Sequence, residues 1–219
     1  MNILNHFDLP YCENNLNVIG SLCNGGKSSA LEILMLEYVQ KGFNCLCIGE
    51  IHKNHFFKRI NRKMKQYEHK TNKNNGNIFY LHRDNTTKLK DIIESNEIKS
   101  VFFDDYIQHK RVNNTKMLLT EKVIEKEENR YSMTRDIIRH NMNLINDIKN
   151  ICNVSCYVSI NLNKRTSSTS GFNASIDATV MMSDVYMTVI RSSKNINTRI
   201  NVVKNRYGNE SNKNLEIIL

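Results

Sequence analysis

The residue types best suited to chemistry lie in one stretch, Asn17-Val-Ile-Gly-Ser-Leu-Cys-Asn-Gly-Gly-Lys-Ser-Ser29. Gly25 and Gly26 lack a Cβ, so the backbone there can take positive φ and bring its N–H groups close around a phosphate. A helix starting near Lys27 adds unsatisfied amides and the positive end of its dipole. Lys27 can then reach the β- and γ-phosphates while the Ser28 hydroxyl takes one position on Mg²⁺. Ser21, Asn24 and Ser29 complete the candidate contacts of this turn. The spacing departs from a P-loop at one point: counting back from Gly26, the first glycine position falls on Ser21, with Gly20 one place early.

Three further positions are acids or an amide that a strand end would deliver. The run Cys45 to Ile48 reads as a second strand leading to Glu50, a carboxylate that could orient and deprotonate a water. Ser100-Val-Phe-Phe-Asp-Asp-Tyr106 reads as a β-rich run ending in Asp104 and Asp105, the form of a Walker B strand whose acid holds the Mg²⁺ shell. Val154 to Asn161 alternates apolar with small or polar groups and ends in an amide, Asn161. In an open α/β sheet, ligands bind at this C-terminal edge.

Those residues need a sheet to hold them, and the patterning supplies one. Leu31, Leu34, Met35 and Tyr38 recur at helical spacing, and Ala30, Ile33 and Leu36 fill most of the remaining circumference, as in a helix buried on several sides. Gly42 stands where a C-terminal cap is expected. Residues 52–73 read as a strongly basic helix with Phe56, Phe57, Ile60 and Met64 on its apolar side. A strand over 77–81 and a short helix over 87–95 follow. Ile138, Met142, Ile145 and Ile148 then mark a helix ending near Asn150, and strands are expected at about 184–191, 197–204 and 215–219. The class is α/β. Residues 1–15 read as an arm or short cap, and 16–219 as one domain.

Composition narrows the partners. The chain has 219 residues, one proline and a formal net charge of +9, a balance that suits a polyanion. Lys110, Arg111, Lys116 and Lys122 lie in a charged, poorly periodic segment, and Lys164 and Arg165 in a hydroxyl-rich loop; both suit phosphate-backbone contact. Six cysteines include Cys45, Cys47, Cys152 and Cys156, whose spacings are not those of a zinc ribbon and read as buried thiols. No apolar run has the length of a membrane helix and no signal peptide opens the chain, so a cytoplasmic, reducing location is expected, with no membrane partner.

Taken together, these pieces resemble the RecA-like motor domain of DnaB-type replicative DNA helicases, especially those of tailed phages, from Asn17 onward. Glu50 matches the family's catalytic glutamate, Phe103-Asp-Asp105-Tyr106 its hydrophobic-Asp-Tyr, with Asp105 the closer equivalent, and Asn161 its γ-phosphate-sensing Gln. Val203-Lys204-Asn-Arg206-Tyr-Gly208 resembles its Lys-x-Arg-x-Gly element, in which Lys and Arg project into the neighbouring subunit's nucleotide. The resemblance implies a RecA-like P-loop core with a mostly parallel central sheet, flanking helices and antiparallel C-terminal strands. It implies ATP and Mg²⁺ as cofactors, single-stranded DNA as partner, a homo-hexamer, a primase or loader protein, and the cytoplasm of a host cell. Arg206 would be an arginine finger acting in trans, a device worth roughly 10³ to 10⁵ in turnover. The family's N-terminal domain and linker helix are absent or reduced to residues 1–15, and Ser21 and Asn161 depart from its pattern. Other readings are a RecA-fold recombination or loading ATPase acting as a switch, a P-loop small-molecule kinase, and a binding protein with a degenerate nucleotide site. The chain has no paired Cys-x-x-Cys lid of the kind such kinases carry.

Overall fold

Eight short runs rich in β-branched and aromatic residues form one sheet, and those apolar on both faces lie at its centre. The computed structural model describes residues 3–11, 14–22, 24–66, 75–83, 88–105, 134–162, 179–191, 197–207 and 214–218. The strands are β1 (Leu16–Leu22), β2 (Asn44–Gly49), β3 (Ile78–His82), β4 (Ile98–Phe103), β5 (Ser155–Leu162), β6 (Val185–Arg191), β7 (Asn197–Asn205) and β8 (Asn214–Ile218). Their order is β3-β2-β4-β5-β1-β6-β7-β8. The first six run parallel, and β7 and β8 are antiparallel. All parallel strands therefore end on one edge, and β5 bridges the strands that precede the glycine turn and the acid pair.

Successive side chains on a strand face opposite sides, and the two cores divide accordingly. Ile19, Cys45, Cys47, Phe102 and Tyr157 pack on one face with α1 (Ile3–His6), α2 (Lys27–Gln40) and α3 (Lys53–Gln66). Val18, Leu46, Ile48, Phe103 and Val158 pack on the other with α4 (Leu89–Ser95) and the helix Thr134–Cys152, here α5. Tyr38 of α2 joins helix to sheet: its ring meets Phe102 and Tyr157 edge-on, and its hydroxyl lies 3.0 Å from that of Tyr157. Gly42 ends α2 with φ 88°, the left-handed conformation a capping glycine supplies. Cys45, Cys47 and Cys156 are buried.

Two sequence expectations shift. Residues 3–9, read as a polar arm or cap, bury Ile3, Leu4, Phe7 and Leu9 against α2. Glu37 of α2 accepts hydrogen bonds from the backbone N–H groups of Ile3 (2.5 Å) and Leu4 (3.1 Å), satisfying amides at the start of α1. Four apolar residues are too few to show a period, which hid this contact from the pattern. The strand expected over 100–106 is β4, which begins at Ile98 and stops at Phe103, so both acids fall in the turn beyond it. Among the described residues no helix is long and apolar enough to cross a membrane.

Candidate functional site

The glycine turn is built by close approach as much as by torsion. Gly25 N donates to Leu22 O at 2.8 Å, and a Cβ on Gly25 would lie 2.8 Å from that oxygen and 3.0 Å from Ser21 Cβ. Gly25 thus allows a serine at position 21, whose Oγ donates to Leu22 O. Gly26 takes φ 96° as the N-cap of α2 and supplies no side-chain cap, so the first amides of α2 have no side-chain cap there. Gly20 serves packing instead: a Cβ there would come within 2.6 Å of the Tyr186 hydroxyl.

Beside this turn, side chains from three strand ends meet. Lys27 Nζ lies 3.1 Å from Asp105 Oδ1, and Asn161 Nδ2 donates to the same oxygen at 3.2 Å. Ser28 Oγ donates to Asp104 Oδ1 at 2.9 Å, as does Ser159 Oγ, which in turn accepts the Asp105 N–H at 2.8 Å. The backbone stays in register with β2 through Asp104 N donating to Ile48 O, and then turns left-handed at Asp105 (φ 54°). Burial, and next the neighbouring Asp105, raise the Asp104 carboxyl above its ordinary value, while the hydroxyls of Ser28 and Ser159 pull it back. The sequence resemblance ranked Asp105 as the closer equivalent of the family's Walker B acid. The hydrogen bonds reverse that order, because Asp104 is the acid that holds Ser28.

Glu50 leaves β2 on the same edge, next to the strand that delivers Asp104. Its exposed carboxylate forms an ion pair with Arg83, which follows β3, and its carbonyl oxygen lies 3.0 Å from His82 Nε2. Beneath the P-loop helix, Glu32 pairs with Arg59 (2.6 Å) and Lys63 (3.7 Å); burial pushes Glu32 up to about 7 against the pull of these two cations.

Lys204 and Arg206 lie elsewhere. Lys204 Nζ donates to the carbonyl oxygens of Val180 (2.6 Å), Met181 (3.2 Å) and Ser183 (2.6 Å), around a helical turn over 179–182. Arg206 Nη1 donates to Asp184 Oδ1 at 3.1 Å, and Asp184 Oδ2 accepts the N–H of Leu16, where β1 begins. The glycine turn follows the other end of β1. Strand rise puts the two places about 20 Å apart.

The structure therefore joins Lys27, Ser28, Asp104, Asp105 and Asn161 with the turn formed by Ser21, Asn24, Gly25 and Gly26, sets Ser29 in the first turn of α2 and Glu50 on the same edge, and separates Lys204 and Arg206 from them. Lys110, Arg111, Lys116, Lys164 and Arg165 lie outside the described residues. Ser159 and Arg83 were missed in the sequence. Ser159 stands two residues before Asn161 on β5 and so shares its face; Arg83 gave no signal until β3 was known to flank β2.

No protein-family model matches the sequence, and no curated protein matches it. Solved structures do. The chain superposes on the ATPase domain of a phage DnaB-like helicase with a TM-score of 0.64, covering 95% of this chain and 82% of that one at 10% identity. The fold is RecA-like. The RecA-like likeness extends to the flagellar accessory protein FlaH from Methanocaldococcus jannaschii, with a TM-score of 0.56, coverage of 98% and 89%, and 13% identity. The mostly parallel RecA-like sheet and the antiparallel pair β7–β8 agree with the architecture implied by the resemblance to DnaB-type motor domains.

Proposed function

We propose that the chain is a P-loop ATPase working as a motor on single-stranded DNA, assembled from several copies, with a hexamer as the expected form. The observation that carries this is the junction of the uncapped α2 N-terminus with two side-chain pairs, Lys27–Asp105 and Ser28–Asp104. An amine, a hydroxyl and two carboxylates beside free amides form the donor set that a nucleoside triphosphate with Mg²⁺ requires. Ser28 and Asp104 would hold the ion, with Asp105 beside them. Bound there, Mg²⁺ would bridge phosphate oxygens and neutralise their developing charge.

The residues of the chain then divide the work. Lys27 exchanges Asp105 for phosphate oxygen, and Asn161, bonded to the same carboxylate, reports that exchange along β5 toward the 163–173 loop. Glu50, released from Arg83, orients the attacking water and accepts its proton. Arg206 is too far from its own P-loop to touch a nucleotide there, so its role is in a neighbouring copy's site, with Lys204 beside it. Lys110, Arg111, Lys116, Lys164 and Arg165 grip DNA phosphates. A primase or loader protein and a cytoplasmic setting belong to the same reading.

A second reading, an ATP-dependent assembly switch of the recombination or loading kind, is favoured by one feature. Glu50 is held by Arg83, an arrangement suited to slow turnover. The likeness to FlaH also fits a RecA-like ATPase that is not a helicase.

The test is ATP hydrolysis with and without single-stranded DNA in wild type, Lys27→Ala, Glu50→Gln and Arg206→Ala. DNA-stimulated turnover lost in all three variants supports the motor, and strand displacement then separates motor from switch. Turnover indifferent to DNA, or surviving Arg206→Ala, overturns the trans site.

A further inference from the structure

α3 carries six Lys or Arg in fourteen residues and no Asp or Glu. Its apolar side, Phe56 and Ile60, is buried against α2 and the sheet, and Phe56 stacks on Tyr80 of β3 at 4.6 Å. Two of its cations are used internally, Arg59 and Lys63 on Glu32. The rest are not. Lys53, Lys58, Arg62 and Lys65 are exposed, and among the described residues no carboxylate pairs with them. At 100° per residue, Lys58, Arg62 and Lys65 fall within a stripe about 60° wide on the side away from Ile60. Asn54, His55 and Asn61 flank them, all exposed. Their combined field reaches inward, since Arg62 is among the charges that lower the Lys63 ammonium below its ordinary value, after burial.

We propose that this outer face of α3 is a binding surface for the phosphate backbone of nucleic acid, separate from the loops at 108–130 and 163–173. From Asn54 to Lys65 the face spans about 17 Å along the helix, room for several phosphates at about 3.4 Å of axis per nucleotide. The interleaved residues are amides and an imidazole, which also bond phosphate oxygens. An anionic lipid surface is the poorer fit, because the stripe presents no Leu, Phe, Tyr or Trp to enter the acyl boundary. The position gives the surface a consequence. α3 begins three residues after Glu50, and the intervening Ile51 carbonyl accepts the Tyr80 hydroxyl at 2.5 Å, so strand binding on α3 bears directly on the backbone that carries Glu50.

The inference rests on the nucleic-acid reading for its partner, but its test needs no ATP. Fluorescence anisotropy would follow a labelled oligo-dT strand and a mixed-sequence duplex across a salt series. The chain would be compared with the triple variant Lys58→Glu/Arg62→Glu/Lys65→Glu, its Gln counterpart, and a control of equal charge change, Lys88→Glu/Lys90→Glu/Lys99→Glu. The α3 variants should lose about two units of the slope of log K against log salt on single strands, and the control none. The Gln triple carries the test if the Glu triple does not fold. An equal loss in the control, or an unchanged slope in both α3 variants, overturns the surface. So does a loss confined to phosphatidylserine vesicles with oligonucleotide binding intact. Basal hydrolysis without nucleic acid should be unchanged in the α3 variants, so failure of this surface is distinguishable from failure of the ATPase.

Discussion

The two ends of β1 use charge in different ways. At its C-terminal end, charged side chains are satisfied by one another: Lys27 by Asp105, Ser28 by Asp104, and beyond β2 Glu50 by Arg83. Around its N-terminal end they are satisfied by backbone. Asp184 takes the N–H of Leu16, Lys204 takes three carbonyls, and Glu37 takes the N–H groups of Ile3 and Leu4. A side-chain pair can be opened by a ligand that offers equivalent charge, whereas a backbone group buried without its partner costs about 1–3 kcal/mol. One end is therefore poised for exchange and the other is a clamp. Arg206 alone straddles the distinction: it is half-exposed, and its partners are the Asp184 carboxylate and a single carbonyl.

The largest effect tests whether Arg206 belongs with the exchangeable groups. Lys27→Ala and Arg206→Ala should each lower turnover roughly 10³-fold or more. Mixed, they should regain activity, because a copy with an intact P-loop can then meet an intact Arg206. ATP hydrolysis in a titration of one variant into the other reads this. No recovery at any ratio returns Arg206 to the clamp.

Next comes Glu37, which burial pushes up to about 7 from an ordinary 4.5, against the two amides that favour its charged form. The folded chain binds this proton more tightly than the unfolded chain. The group's stabilising contribution is thus complete below about pH 4.5 and is lost as pH rises toward 7, by about 3 kcal/mol for a shift of this size. Urea midpoints of wild type minus Glu37→Gln, taken across that range, should show this slope. Glu32, also raised to about 7, remains in both proteins and cancels. A flat difference would mean that the clamp on α1 does not depend on protonation.

Much of this arrangement was legible in the residues. The strands and α2 showed because period and β-branching mark buried elements, and Gly25-Gly26-Lys27-Ser28 showed because few other reasons put two glycines before a helix. The ranking of Asp104 and Asp105 was not legible, since it turns on whether β4 ends at Phe103 or one residue later. Arg83 depended on strand order, which no local pattern carries. Lys204 and Arg206 were legible as a pair of cations, but not as neighbours of Asp184 and the 179–182 turn, a contact between segments twenty-odd residues apart.

Lys204 gives a smaller and purely structural effect. Its ammonium is half-buried, lowered from its ordinary value by burial and then by Arg206, and holds three carbonyls together. Lys204→Met keeps the stem and removes the donor, so thermal or urea unfolding should show a loss of about 1–3 kcal/mol. A variant that keeps full stability but loses hydrolysis would move Lys204 across to the exchangeable set, beside Arg206.

The smallest effect concerns the pair on Glu50. Arg83 is partly buried and Glu50 exposed, so their ion pair contributes about 0–1 kcal/mol, and releasing it can shift the population of free Glu50 by at most about fivefold. Arg83→Ala should therefore raise DNA-free turnover by up to about that factor, leave the KM for ATP unchanged and leave stability within about 1 kcal/mol. The stimulation by single-stranded DNA should shrink in proportion, since part of what DNA would do has already been done. A fall in turnover would assign Arg83 to the machinery itself. It would also show that even the exchangeable end of β1 contains a pair whose two members act together rather than one restraining the other.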